Sequence, residues 1–169
     1  MGAVEAFNSS PAGQLADDLR ACCAAPGWSA TLLSGRPYGK RSEIVAAAET
    51  AARGLSWAEV LVGLSAHPRI GERAQGDSRE AAWSRREQAA AATDGDAATA
   101  AALVAANRAY EERFGHVFLI FASGRTPGEV LAAARARLAN DDAAERAVVT
   151  GELGKIAVLR LERLLDALG

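Results

Sequence analysis

Ser56-Trp57-Ala58-Glu59-Val60-Leu61-Val62-Gly63-Leu64-Ser65-Ala66-His67-Pro68-Arg69-Ile70-Gly71-Glu72 contains the start, the body and the stop of one helix. Ser56 and Glu59 stand three apart, the spacing at which a hydroxyl and a carboxylate satisfy each other's backbone N–H groups at a helix N-terminus. Val60, Leu61 and Leu64 supply an apolar face. Proline fixes its own φ and pushes the preceding residue out of the helical region, so the helix is predicted to stop at His67-Pro68. Gly71 permits a bend close by. His67, one of two histidines in the chain, is thus presented at a helix end among charged groups. It reads either as a placed acid–base group or as a helix stop with an incidental imidazole.

The same helical punctuation recurs on both sides. Ser10-Pro11 opens an amphipathic run through Leu15, Leu19 and Cys22-Cys23, and Pro26-Gly27 is predicted to end it. Trp28, Leu32 and Leu33 suggest a short second element before the loop from Ser34 to Gly39. Ser42 is positioned to cap a helix with Ile44, Ala47, Ala48 and Ala51 on one face and Gly54 at its end. Beyond His67, a polar loop through Gly76 and Asp77 leads to a helix from about Ser78 to Ala92, broken by Thr93-Asp94-Gly95-Asp96. Leu103, Asn107, Tyr110 and Phe114 form one stripe of the next helix, which ends at Gly115.

Thr126-Pro127-Gly128-Glu129 combines an N-cap, a first-turn proline and a capping acid. Asn140-Asp141-Asp142 separates that helix from the last one, for which Asp142 and Glu145 form the expected capping pair. The final helix carries Val148, Ile156, Leu159 and Leu164. Only His116-Val117-Phe118-Leu119-Ile120-Phe121-Ala122 does not read as helix, being short, β-branched and aromatic between turn signals. The expected architecture is all-α: a single multi-helix domain over residues 1–169, with one short extended segment near 117–122 and a flexible N-terminus over 1–9.

Composition narrows the function. The 169 residues are 50% hydrophobic and 24% charged, which suits a globular domain with a sizeable core. A net charge of −2 leaves no basic footprint for nucleic acid or an anionic membrane. Adjacent Cys22 and Cys23 suit neither a zinc-ligand pattern nor a disulfide framework, and read as semi-buried thiols in a reducing cytoplasm. No apolar run reaches membrane-spanning length, and Met1-Gly2-Ala3-Val4-Glu5 lacks the basic start of a signal peptide. With two histidines and no Cys/His cluster, no bound metal is expected. Phosphate-binding glycine loops and nucleophile elbows are absent as well.

Three features carry chemistry. Ser84, Glu87 and Gln88 stand at i, i+3 and i+4 and share a helix face. A hydroxyl, a carboxylate and an amide there can grip a small polar heterocycle, or simply be a solvated face beside Arg85 and Arg86. Arg160 lies four residues from both Ile156 and Leu164, on what should be a buried row. An inward arginine calls for a structural acid or an anionic ligand. Phe118 to Ala122 would carry backbone N–H and C=O groups into the interior, where they need side-chain, water or ligand partners. His116, beside Gly115, reads as a surface or hinge residue.

Taken in order, these pieces resemble a known family. They are Cys22-Cys23 with Trp28, Arg36-Pro37-Tyr38, Trp57-Ala58, His67-Pro68-Arg69-Ile70-Gly71 and Ser84-x-x-Glu87-Gln88. They continue through Asn107-x-x-Tyr110-x-x-Arg113-Phe114-Gly115, Phe118-Leu119-Ile120, Arg137-Leu138-x-Asn140-Asp141-x-x-x-Glu145 and Lys155-Ile156-x-x-Leu159-Arg160-Leu161. Together, from about Phe7 to Leu165, they resemble the 2-oxo-4-hydroxy-4-carboxy-5-ureidoimidazoline (OHCU) decarboxylases of urate breakdown.

The resemblance implies an all-helical enzyme without cofactor, usually a homodimer, that forms (S)-allantoin and CO₂. It implies that His67 is the catalytic histidine with Glu87 at the same pocket, and that Pro68, Ser84 and Gln88 contact substrate. It also implies that Phe118, Leu119, Ile120, Phe121 and Ala122 offer backbone contacts, and that Arg160 is the family's arginine. His116-Val117 departs from the aromatic residue and proline of many members. The competing readings are a helical binding or scaffold domain, and a related lyase or hydrolase acting on another ureido compound.

Overall fold

The helix of the quoted stretch, α5 (Trp57–Leu64), forms as its capping residues dictate. The Glu59 amide donates to Ser56 Oγ at 3.2 Å, and the Ser56 amide donates back to the Glu59 carboxylate at 3.2 Å. In the computed structural model, which describes residues 1–70, 79–92 and 97–169 and of 79 and 88–92 the backbone alone, helix α5 ends at Leu64. Ser65 and Ala66 turn the chain before His67 and Pro68. The described residues form helices and no strand, the all-α architecture that the periodicity predicts. The expected loop through Gly76 and Asp77, the helix start at Ser78 and the break at 93–96 lie outside the described residues.

The chain divides into two compact units, Met1–Ala66 with Thr150–Gly169, and His67–Val149. The first unit contains α1 (Ala3–Ser9), α2 (Ala12–Cys22), α3 (Pro26–Ser34), α4 (Arg41–Arg53) and α5. It also holds the C-terminal part of α9 (Asp142–Leu168). Residues 3–9, expected to be flexible, form a helix with Phe7 wholly buried. Arg36 secures that end of the chain, since its Nη1 donates to the carbonyls of Phe7, Asn8 and Ser10 at 3.1, 3.2 and 2.7 Å.

Pro26 starts α3 rather than ending α2. Its missing N–H costs nothing in a first turn, and its fixed φ suits one. Trp28, Leu32, Leu15, Leu19 and Ile44 fill the core here, and Trp28 Nε1 donates to the Ala48 carbonyl at 3.1 Å. Burying each large apolar side chain is worth about 1.5–3 kcal/mol. Gly63 lets α5 and α9 approach, because a Cβ at that position would lie 2.8 Å from Leu153 Cδ2. Cys22 and Cys23 are buried free thiols. Burial pushes the Cys23 thiol up to about 11, opposed by an Ala25 backbone hydrogen bond and the nearby charge of Arg160.

The second unit contains α6 (Arg79–Ala92), α7 (Ala97–Phe114), α8 (Pro127–Arg137) and the Asp142–Val149 end of α9. Its core joins Leu103, Ala106 and Tyr110 of α7 to Val130, Leu131 and Ala134 of α8, with Phe118, Ile120 and Ala122 between them. Gly115 ends α7 at φ +80°, a conformation open to glycine at little steric cost. Thr126 caps α8 through the Glu129 amide at 3.1 Å.

At the start of α9 the cap differs from expectation. Asp141 Oδ1 accepts the Ala144 amide at 2.7 Å, while Glu145 turns inward and is fully buried. Asp141 reaches the first-turn amide, so Glu145 is released to a network of its own.

Candidate active site

His67 lies three residues past the end of α5, half-buried, in a turn that residues of α7 hold in place. Asn107 Nδ2 donates to the Ile70 carbonyl at 2.7 Å, and Arg69 Nε pairs with Glu111 Oε1 at 2.5 Å. Asn107 and Glu111 stand at i and i+4 and so share one face of α7. The Ile70 side chain packs on the core cluster that contains Phe118 and Ile120. Three attachments therefore follow His67 within three residues. A turn held this way presents its imidazole and the adjacent Pro68 in a restricted orientation.

On α6, Ser84 and Glu87 are buried, at 4% and 8% exposure, whereas Arg85 is half-buried and Arg86 exposed. That contrast removes Ser84 and Glu87 from the solvated part of the helix surface. A hydroxyl and a carboxylate on a solvated surface keep their water, while these two have lost it. Burying a carboxylate is costly unless polar partners meet it. Gln88 belongs to the same helix, but its side chain lies outside the described residues.

Residues 117–122 run without regular secondary structure, and Phe118, Leu119, Ile120 and Ala122 are buried. The carbonyls of Leu119, Phe121 and Ala122 have side-chain or turn partners. Leu119 accepts from Arg137 Nη1 at 2.6 Å, Phe121 from Arg125 Nε at 3.0 Å and Ala122 from the Arg125 amide at 3.0 Å. The amides of Phe118, Leu119, Ile120 and Ala122 donate to no partner among the described residues. Buried donors of this kind are rare and are normally met by water or ligand.

Behind the segment lies a buried network that sequence reasoning left unassigned. Glu145 accepts from Tyr110 Oη at 2.6 Å, Arg137 Nε at 2.7 Å and Asn140 Nδ2 at 3.0 Å. The Arg137 guanidinium also sits 4.6 Å from the centre of the Phe118 ring. Burial pushes the Glu145 carboxyl up. The hydrogen bonds from Arg137, Tyr110 and Asn140 and the guanidinium charge outweigh it, and hold the group below the usual carboxylate range. Burial, then the Glu145 hydrogen bond, raises the Tyr110 phenol. The spacing Arg137-Leu138-x-Asn140-Asp141-x-x-x-Glu145 is the available signal; it carries part of the family resemblance and marks a helix boundary, but assigns no partners to its side chains.

His116 is half-buried, and its ring packs edge-on to Tyr110 at 5.5 Å. Arg160 points inward as its row predicts, at 1% exposure, in the first unit. His67, Pro68, Ser84, Glu87 and the Phe118–Ala122 segment all belong to the second. Among the described residues no group of three or more His, Cys, Asp or Glu side chains is arranged to hold a metal. No described helix is long and apolar enough to cross a membrane.

His67 on its tethered turn, the buried Glu87 carboxylate and the peptide segment 118–122 all belong to one all-helical unit. The family model described as OHCU decarboxylase matches residues 8–162, and the chain belongs to that family.

The 2-oxo-4-hydroxy-4-carboxy-5-ureidoimidazoline decarboxylase of Amia calva is 33% identical over 139 residues, covering 82% of this chain and 79% of the relative. The uric acid degradation bifunctional protein TTL of Arabidopsis thaliana is 29% identical over 153 residues, covering 89% of this chain. Only 47% of that relative is matched, so the chain spans about half of its length. A crystal structure of OHCU decarboxylase in the presence of (S)-allantoin superposes with a TM-score of 0.74 at 27% identity, covering 89% of this chain and 98% of that one.

Proposed function

We propose that this chain converts OHCU to (S)-allantoin and CO₂, using His67 and Glu87 to manage protons and no cofactor. The observation that carries the reading is the burial of Ser84 and Glu87 on α6, in the unit that also contains His67 and the spare amides of the 118–122 segment.

The substrate's carboxylate is borne on a carbon that also carries a hydroxyl and adjoins an imine. When the C–CO₂ bond breaks, its electron pair forms a carbon–carbon double bond, and the imine pair moves to nitrogen, which takes a proton. The resulting enol loses its hydroxyl proton and gains one at the neighbouring ring carbon. The ring is its own electron sink. The protein's task is orientation and proton transfer.

His67 and Glu87 are the titratable groups for those transfers. Pro68, Ser84, Gln88 and the backbone of Phe118, Leu119, Ile120, Phe121 and Ala122 bind the ring, so that one face alone is protonated. Arg160 is assigned to substrate binding on the family resemblance and on its burial as a charged side chain. The working form is a cytoplasmic homodimer, again on the resemblance.

A substrate panel tests the reading. Freshly generated OHCU is expected to disappear well above its uncatalysed rate, while hydantoin and allantoate stay unchanged. Turnover of another ureido compound with OHCU untouched would replace the decarboxylase reading with that of a related lyase or hydrolase.

A further inference from the structure

We infer that Arg137 is a positioning residue for this reaction, acting through the Leu119–Ile120 peptide to aim and strengthen the Ile120 N–H as a substrate hydrogen-bond donor. The inference rests on the decarboxylase reading and deepens it. Arg137 is 7% exposed and reaches the Leu119 carbonyl through Nη1 at 2.6 Å. Its Nε and Nη2 engage Glu145 Oε1 at 2.7 and 2.5 Å. Phe118 covers the guanidinium plane, Tyr110 donates to the same Glu145 Oε1, and Asn140 donates to Oε2 on the other side of the carboxylate. Two of the three guanidinium nitrogens, Nε and Nη1, are held by hydrogen bonds, and Nη2 by its ion pair.

The consequence follows from peptide geometry. The Leu119–Ile120 bond is trans, and in a trans peptide the carbonyl and the N–H point in opposite directions. With the Leu119 carbonyl turned onto Arg137, the Ile120 N–H points away from the network. That amide is buried and donates to no described residue. A cationic donor on the carbonyl draws electron density from the amide nitrogen and makes its N–H a stronger donor. The matching ligand group is an acceptor oxygen or nitrogen of the ureidoimidazoline, most of all one that gains negative charge as CO₂ leaves. Lysine, with one ammonium, cannot hold Glu145 and the Leu119 carbonyl in the same fork.

The test compares wild type with Arg137→Lys, which keeps the buried charge balanced, at enzyme concentrations where uncatalysed decay is negligible. A wild type that does not decarboxylate OHCU overturns the activity reading and this inference with it. With an active wild type and a folded Arg137→Lys, kcat/KM is expected to fall about 10- to 100-fold, the worth of one charge-strengthened hydrogen bond.

Inhibition by added (S)-allantoin should weaken, the optical purity of the product should drop, and the limbs of the pH–rate profile should stay in place. A purely structural role would lower only the folded fraction. Wild-type kcat/KM and optical purity in folded Arg137→Lys overturn the inference. If that variant does not fold, replacing Ile120 by its α-hydroxy acid decides. The ester lacks the N–H, and the same fall is expected, whereas wild-type kinetics overturn the inference.

Discussion

Tyr110 donates its hydroxyl to Glu145 at 2.6 Å, and both side chains are fully buried. The pair joins the long stripe of α7 to the first turns of α9, with Arg137 completing the charge balance. A buried acid held below its ordinary range links stability to pH. Its contribution is complete above the unfolded value near 4.5 and is lost as pH falls through that value toward the folded one. Glu145→Gln leaves the Arg137 charge buried and unpaired, which typically costs about 3–5 kcal/mol. Denaturant melts at a series of pH values are expected to show the variant weaker at pH 7 and flatter below pH 5 than wild type. Equal stability at pH 7 would remove the network from the fold's support.

Asn107 is one of the three supports of the His67 turn. Asn107→Ala removes the donor to the Ile70 carbonyl, which should cost about 1–3 kcal/mol in denaturant melts. A larger loss of kcat/KM than of folded protein is expected, because the turn that presents His67 loosens. Unchanged kcat/KM would assign the support to the Arg69–Glu111 ion pair and the packing of Ile70.

The architecture was legible because its signals are local. Ser56 with Glu59, Thr126 before Pro127, and Gly115 after Phe114 each act within one turn, and each forms as its chemistry dictates. Pro26 misled because proline marks both the end of one helix and the first turn of the next, and only packing separates the two roles. Glu145 misled for a related reason. Three residues after Asp142 it has the spacing of a capping acid, but its partners Arg137, Tyr110 and Asn140 come from elsewhere. Non-local partners leave no periodicity to read. Ser84 and Glu87 were legible as one face, yet only the packed structure shows that this face is buried rather than solvated.

His67→Asn keeps the size and polarity of the side chain but removes its titration. A general acid–base group contributes about 10²–10⁴-fold, so kcat is expected to fall by that factor with thermal unfolding unchanged. Near-normal turnover would transfer the proton chemistry to another group.

Glu87→Gln separates proton handling from grip. The amide keeps the shape and can still hydrogen-bond, so inhibition by (S)-allantoin should survive. Turnover is expected to drop by about 10²-fold, the lower range for an acid–base group. Wild-type turnover in this variant would reduce Glu87 to a residue that only positions substrate.

The central claim is that this chain removes CO₂ from OHCU and enforces protonation of the ring on one face. Circular dichroism of allantoin formed from freshly generated OHCU measures both at once, since the uncatalysed reaction gives a racemate. With catalytic amounts of protein, a signal of the (S) enantiomer is expected that grows far faster than uncatalysed decay and is lost in His67→Asn. Racemic allantoin appearing at the uncatalysed rate in the presence of folded wild-type protein would contradict it.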